Sequence, residues 1–378
     1  MYDRTRLLRV TVSTALCRHV HAKQTILQAI QEIRKLLNQK SSLPAATSVH
    51  MSAHNDAKAL VSNALIPRLS FSNDLFFHGQ RQLTEEEAAQ LRVFVNERLK
   101  GKPLAYIIGR KEFWSMEFLV TKETLIPRSD SEVLLETLME QFHPETPLEI
   151  LDIGTGTGCL LLSALSEFPH AIGTGIDISQ NALDIARKNA WIHKLNDRTK
   201  FLHRDLKTLS GLEKKDEDDD EAMYQRFDVV LFNPPYIPRR ELYLVGADVL
   251  EYEPHVALFP DGGPTCEDTG ADPDGLRMYQ LLHRCVDSLF RNHAEHAAGS
   301  ECLPLTTKER VGKDYTIKKC LLMEVGSEDQ ARSVQKLFTT RATTPSRRSA
   351  IDNESLLQFE RFLYDASRKC RGVYFTGR

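Results

Sequence analysis

The chain has 378 residues, of which 41% are hydrophobic and 27% charged, with a formal net charge of -3. That length supports two domains with separate cores, the composition is that of a globular protein, and the charge excludes the global basic field that drives non-specific nucleic-acid binding. The seven cysteines are scattered and never paired at metal-ligand spacing, and no apolar run is long enough to span a bilayer. Reduced structural thiols, no metal and no membrane are therefore expected.

Residues 1–23 interleave Arg4, Arg6, Arg9, Arg18 and Lys23 with Leu7, Leu8, Val10 and Val12, against the single acid Asp3. A basic, acid-poor amphipathic start has the character of a mitochondrial presequence, with a disordered basic terminus as the alternative. From 24 to 110 the pattern is helical. Ile26, Leu27, Ile30, Ile33, Leu36 and Leu37 recur at helical spacing, as do Ala57, Leu60, Val61, Ala64 and Leu65. Thr84 with Glu87 forms a capping box that opens a third helix, stopped by Gly101 and Pro103. Residues 111–147 read as an interdomain connector.

From Leu148 short apolar runs alternate with helical segments. Strands are expected at 149–153, 171–176, 200–203, 228–232, 320–325 and 372–375, with helices at 159–168, 182–193 and 330–338. This alternation predicts an α/β domain over 148–378, a Rossmann-like parallel sheet behind an N-terminal helical domain. Charged or Gly/Asp/Pro-rich stretches near 213–221, 261–274 and 292–315 read as solvated loop insertions without chemistry.

Three places in the α/β domain carry chemistry. Gly154, Gly156 and Gly158, with Thr155 and Thr157 between them, follow a strand and open a helix, so a ligand can approach the backbone closely. The spacing is G-x-G-x-G, and Cys159 and Leu160 stand where a dinucleotide fingerprint would want its last glycine. Asp152, just before the loop, is expected to support it. Asp177, ending the second strand, is placed for ribose hydroxyls, with a helix cap as the competing role. Asp205 and Leu206, after the third strand, are placed for an adenine edge, again with capping as the alternative. At the end of the fourth strand stands Asn233-Pro234-Pro235-Tyr236. The prolines fix φ near -65° and remove two N–H donors, Asn233 offers an acceptor, and Tyr236 offers a stacking face. That set suits a neutral, planar NH2 group.

These residues, together with Gly101-Lys102-Pro103-Leu104-Ala105-Tyr106-Ile107-Ile108-Gly109, Glu112-Phe113-Trp114, Leu125-Ile126-Pro127-Arg128 and Glu253-Pro254, resemble the HemK/PrmC-type protein N(5)-glutamine methyltransferases. The tetrapeptide is shared with enzymes acting on adenine or guanine amino groups, whereas the interdomain run is more specific. The resemblance implies S-adenosylmethionine as cofactor, contacted by Gly154 to Gly158, Asp177, Leu206 and Asn233. It also implies a peptide-chain release factor as protein substrate, its GGQ glutamine held by Asn233 to Tyr236, with no nucleic acid as direct substrate. Ser129 stands where the family usually has proline, and Leu206 where some members have an aromatic. The insertions and the basic start resemble a eukaryotic, organellar member, with a cytoplasmic location as the alternative. Methylation of a nucleic-acid amino group or of a ribosomal-protein glutamine are the rival functions.

Overall fold

The computed structural model describes residues 20–41, 53–69, 74–210, 224, 226–260, 272–291, 317–339 and 357–377. Most of the basic start, the acidic run at 213–221, most of 261–274 and all of 292–315 lie outside the described residues. Among the described residues no helix is long and apolar enough to cross a membrane.

The chain divides into two units, one of residues 1–110 with Tyr243–Tyr252, the other of 111–242 with 253–378. The first unit is helical, with its main helices at Ile26–Ser41, Ala53–Ala64 and Glu85–Lys100. Its core is a single cluster that includes Ile26, Ile33, Leu37, Leu60, Leu91 and Val95. The Thr84 hydroxyl accepts from Glu87 N and the Glu87 carboxylate from Thr84 N, so the capping box forms as expected. Glu87 is fully buried, and its carboxylate also receives the Arg81 guanidinium and the Ile66 N–H. Burial alone would raise its pKa, but Arg81 and the two N–H donors outweigh burial and hold it below the usual value. Left-handed Gly101 then closes the last helix of this trio.

The second unit begins with a hairpin of β1 (Arg110–Phe113) and β2 (Met116–Leu119), followed by the helix Glu132–Gln141. Residues 111–147 thus belong to the second unit, where a connector was expected: Val133, Leu134 and Leu138 bury themselves in the same cluster as Ile150 and Leu231. The main sheet contains β3 (Glu149–Ile153), β4 (Ile172–Asp177), β5 (Thr199–His203), β6 (Val229–Phe232), β7 (Lys319–Glu324), β8 (Leu357–Tyr364) and β9 (Cys370–Gly377). Their order is β5-β4-β3-β6-β7-β9-β8, parallel from β5 through β7 and antiparallel at β9 and β8.

The period of two along each strand divides the apolar residues between two faces. In β6, Val229 and Leu231 join the helices Glu132–Gln141 and Cys159–Glu167 on one side. Val230 and Phe232 join Arg277–Leu289 and Glu328–Thr339 on the other. A sheet covered on both faces explains why β3, β6 and β7 are buried along their whole length. The chain runs outward from β3 to β4 and β5, then returns to the other side of β3 as β6. The strand order reverses between β3 and β6, and the carboxyl ends of strands at such a reversal open a crevice for ligands.

Candidate active site

The two sequence features with most chemistry meet at that reversal. The glycine loop leaves β3, and Asn233 to Tyr236 leaves its neighbour β6, in a register that pairs Ile153 with Phe232. A cavity of about 380 Å³ lies there, lined among others by Asp152, the loop 154–157, Asp177, Asp205, Leu206 and Asn233. Pro234 and Pro235 also line it, as does Pro127 from the Leu125 to Arg128 run. The volume falls within the usual range for small-ligand sites.

Gly154, Gly156 and Gly158 all have positive φ, which an L side chain adopts only under strain. A Cβ on Gly156 would find nothing nearer than the Gly154 carbonyl at 4.0 Å, so protein packing leaves that space free. The loop's N–H groups are mostly engaged within the protein. Gly154 N and Thr155 N donate to the Ile176 carbonyl at 2.8 and 2.9 Å, and Gly158 N donates to Thr155 O at 2.8 Å. Gly156 N donates to Asp177 Oδ2 at 2.9 Å. These four N–H groups secure the loop to β4 and to itself, so the loop admits a ligand by close backbone approach more than by N–H donation.

Asp152 has the supporting role expected of it: the Thr155 hydroxyl donates to its Oδ2 at 2.6 Å, and both side chains are buried. Burial, with a smaller contribution from the nearby Asp177 charge, pushes the Asp152 carboxyl up to about 7. Asp177 clamps the loop to the next turn, taking Gly156 N on one oxygen and Ser179 N on the other at 2.8 Å. It is not the cap of the helix Gln180–Ile192; Ser179 is, accepting from Ala182 N. Asp205 does cap a helix, accepting from Lys207 N at 2.9 Å, while it and Leu206 still line the cavity. An acidic rim at Asp177, a loop with glycine at every second position and apolar walls such as Leu160 and Leu206 fit the adenosine and ribose of S-adenosylmethionine, and its positive charge suits the carboxylates.

Asn233 and Tyr236 are held by residues that carry no motif. Asn233 Nδ2 donates to Ser131 Oγ at 3.1 Å, and Ser131 Oγ in turn donates to Glu324 Oε2. The Tyr236 hydroxyl donates to Glu324 Oε1 at 3.0 Å. Glu324, at the end of β7, is buried; that burial pushes it up to about 7, even though Ser131 and Tyr236 donate to it. Gln330 Nε2 donates to the Tyr236 carbonyl at 3.0 Å, and Gly275 and Gly326 let that tyrosine pass closely. Tyr236 was expected to present a stacking face, but it packs against the core beneath the sheet end and is not among the cavity's lining residues. The walls are joined by Glu253, whose buried carboxylate accepts from Ile126 N at 3.1 Å and from Arg128 Nη2.

Ser131, Glu324, Gln330 and Gly275 had no place in the sequence reading. The one available signal was an acid, Glu324, closing the apolar run of β7. Arg128 and Glu253, both in segments that carry the family resemblance, form one ion pair.

A glycine loop after the first strand of the reversal, an acid after the second and an Asn-Pro-Pro-Tyr turn after the fourth define a Rossmann-like S-adenosylmethionine-dependent methyltransferase. The Methyltransferase small domain family matches residues 129–251, and the PrmC N-terminal domain family matches residues 28–109. A release factor glutamine methyltransferase from Bradyrhizobium diazoefficiens is 38% identical over 61% of this chain and 69% of its own length. Proteins of the same description from Caulobacter vibrioides and Chlorobaculum tepidum are 37% and 33% identical, over 62% and 74% of their lengths. The chain belongs to the family of release factor glutamine methyltransferases.

Proposed function

We propose that this protein transfers a methyl group from S-adenosylmethionine to the side-chain amide nitrogen of the GGQ glutamine of a peptide-chain release factor. The observation that carries the reading is the orientation of Asn233. Its NH2 is engaged by Ser131 and the residue lines the cavity, so Oδ1 is the end we assign to accept from the substrate. An amide nitrogen is a poor nucleophile because its lone pair is delocalised, as the barrier of about 18–20 kcal/mol to peptide rotation reflects. Acceptance of its two hydrogens by Asn233 Oδ1 and the Pro234 carbonyl would fix the NH2 plane and raise electron density on nitrogen. It would also hold that atom about 3–3.5 Å from the reacting carbon.

Bound there, S-adenosylmethionine would supply an electrophilic methyl carbon and a sulfur leaving group that keeps the electron pair of the broken bond. No side chain need remove a proton beforehand, because the methylated nitrogen is far more acidic than the starting amide and loses its proton after transfer. The loop at Gly154 to Gly158 and Asp177 would hold the cofactor, with Asp205 and Leu206 available to its base.

We further place the protein in the mitochondrion, acting on a mitochondrial release factor as a eukaryotic member of a family whose relatives named above are bacterial. The support is the basic, acid-poor character of residues 1–23. The test of function is mass spectrometry of a mitochondrial release factor after incubation with the protein and S-adenosylmethionine, with a methyl group expected on the GGQ glutamine. Methyl label found only in added RNA or DNA, or only in ribosomal protein, overturns the reading. A reporter fused to residues 1–23 is expected in mitochondria; a cytosolic reporter overturns the location.

A further inference from the structure

We propose that Glu324 is a positioning residue for methyl transfer: through Ser131 it determines which end of the Asn233 amide faces the cavity. The inference rests on the reading of Asn233 as the acceptor for the substrate NH2 group.

The geometry is a relay with a direction. Glu324 is buried at the end of β7, and in its ionised form, which mildly alkaline pH favours, it only accepts hydrogen bonds. Its two oxygens receive two hydroxyls, Ser131 Oγ–H on Oε2 and Tyr236 O–H on Oε1. A serine hydroxyl has one proton. With that proton committed to Glu324, Ser131 Oγ can only accept from Asn233, and so selects the Nδ2 end of the amide. The Oδ1 end is then turned away from Ser131. An amide is close to symmetric in shape, so packing alone distinguishes its two ends poorly, and the hydrogen-bond partner decides. Were the proton of Ser131 free, it could donate to Asn233 Oδ1 and turn the NH2 group toward the substrate, donor against donor.

The surroundings support an acceptor at this place. Tyr279 donates to the Glu324 backbone carbonyl at 2.6 Å, which fixes the strand end itself. Arg371 stabilises the carboxylate electrostatically, and Asp130, which pairs with Arg371 at 2.9 Å, opposes it. The relay spans residues 131, 233 and 324, three elements that meet only at the end of the sheet.

The test uses the full chain, S-adenosylmethionine and a release factor at mildly alkaline pH, with E324Q and S131A compared against N233A. Glutamine is nearly isosteric with glutamate, but it cannot accept on both ends, so one of the two hydroxyls loses its acceptor. The expected result is a kcat lower by roughly ten- to hundredfold in E324Q, the usual effect of a lost orienting partner. The dissociation constant for S-adenosylmethionine should change much less than kcat, since no bond of the relay touches the loop at 154–158 or Asp177. S131A, which removes the acceptor for Asn233 and leaves Glu324 itself in place, should show the same division between kcat and cofactor affinity. In side-chain amide spectra of 15N-labelled protein, the Asn233 NH2 signals should shift in both variants. If both variants fold and keep wild-type kcat while N233A is inactive, the positioning role is overturned and the site stands. Equal losses of kcat and cofactor affinity overturn it too, because they indicate collapse of the site. A fully active N233A overturns the assignment of the site itself.

Discussion

Gly275 offers the sharpest test of how the Asn-Pro-Pro-Tyr turn is supported, because it lies outside every recognisable motif. Its φ is +67°, and a Cβ built there would stand 2.2 Å from the Tyr236 carbonyl oxygen and 2.8 Å from Gln330 Nε2. A comfortable carbon–oxygen contact is about 3.3 Å, so in G275A the backbone of Tyr236 or of Gly275 has to retreat by roughly 1 Å. Left-handed strain on an L-residue contributes about 1–2 kcal/mol. Overpacking adds about 1–3 kcal/mol, and loss of the bond from Gln330 to the Tyr236 carbonyl adds about 1 kcal/mol. The expected destabilisation is therefore about 3–6 kcal/mol. G156A is the control: φ is again positive, at +56°, but the nearest protein atom to its Cβ is at 4.0 Å. Strain alone should cost it about 1–2 kcal/mol. Both tryptophans, Trp114 and Trp191, lie in the second unit, so urea unfolding followed by tryptophan fluorescence reports on that unit. The two variants should also part in kinetics, G275A losing kcat through displacement of Tyr236 and G156A losing cofactor affinity. If G275A unfolds with G156A and keeps wild-type kcat, the close approach has no consequence and the reasoning fails.

Asp177→Ala removes the acceptor for Gly156 N and Ser179 N and should weaken S-adenosylmethionine binding at least about tenfold by calorimetry, one charge-assisted bond's worth. Glu253→Ala leaves the Ile126 N–H and Arg128 without their partner and should lower stability by about 2–3 kcal/mol in urea unfolding. Because Arg128 is 38% exposed and can be resolvated, Glu253→Gln should recover most of that. Glu87→Ala should destabilise the helical unit by about 2–3 kcal/mol, since the 37% exposed Arg81 is resolvated but the Ile66 and Thr84 N–H groups lose their acceptor, read by amide hydrogen exchange across Glu85–Lys100. Since the Glu87 pKa is held below its unfolded 4.5, its contribution is complete above that pH and is lost as pH falls through the folded value. Asp152 has the opposite sign. Its folded value of about 7 exceeds the unfolded 3.8, so the wild type should lose stability relative to D152N as pH rises between those values, with no further change above.

What could be read in the sequence depended on how local the cause was. The Thr84 capping box, the apolar runs of β3, β6 and β7 and the glycine loop are each specified by a few neighbouring residues, and they stand where the spacing put them. The hairpin of β1 and β2 escaped because its turn is Trp114-Ser115, both at positive φ, where such turns ordinarily carry Asn or Gly. β8 escaped because it is an edge strand with mixed burial and a register shift between Phe359 and Arg361, which breaks the alternation. In the site, the cofactor loop was legible because one stretch of chain makes it. The support of Asn233 was not, because Ser131 and Glu324 come from distant stretches and neither is unusual where it stands.

The same contrast explains why the site is built on buried acids. At the carboxyl ends of parallel strands, backbone groups leave the ladder and side chains must hold the turns that follow. Asp152 holds the loop after β3 through Thr155, and Glu324 holds the turn after β6 through Ser131 and Tyr236. Once ionised, a carboxylate accepts several donors at once and offers none, so it imposes a direction on every hydroxyl it meets, which an amide or a hydroxyl in its place would not. Burial raises both carboxyls to about 7, an expense in stability that a purely structural strand end would avoid with an apolar residue. Accepting it makes sense where orientation matters more than stability, and that is the requirement of a reaction whose nucleophile is a planar, weakly reactive nitrogen.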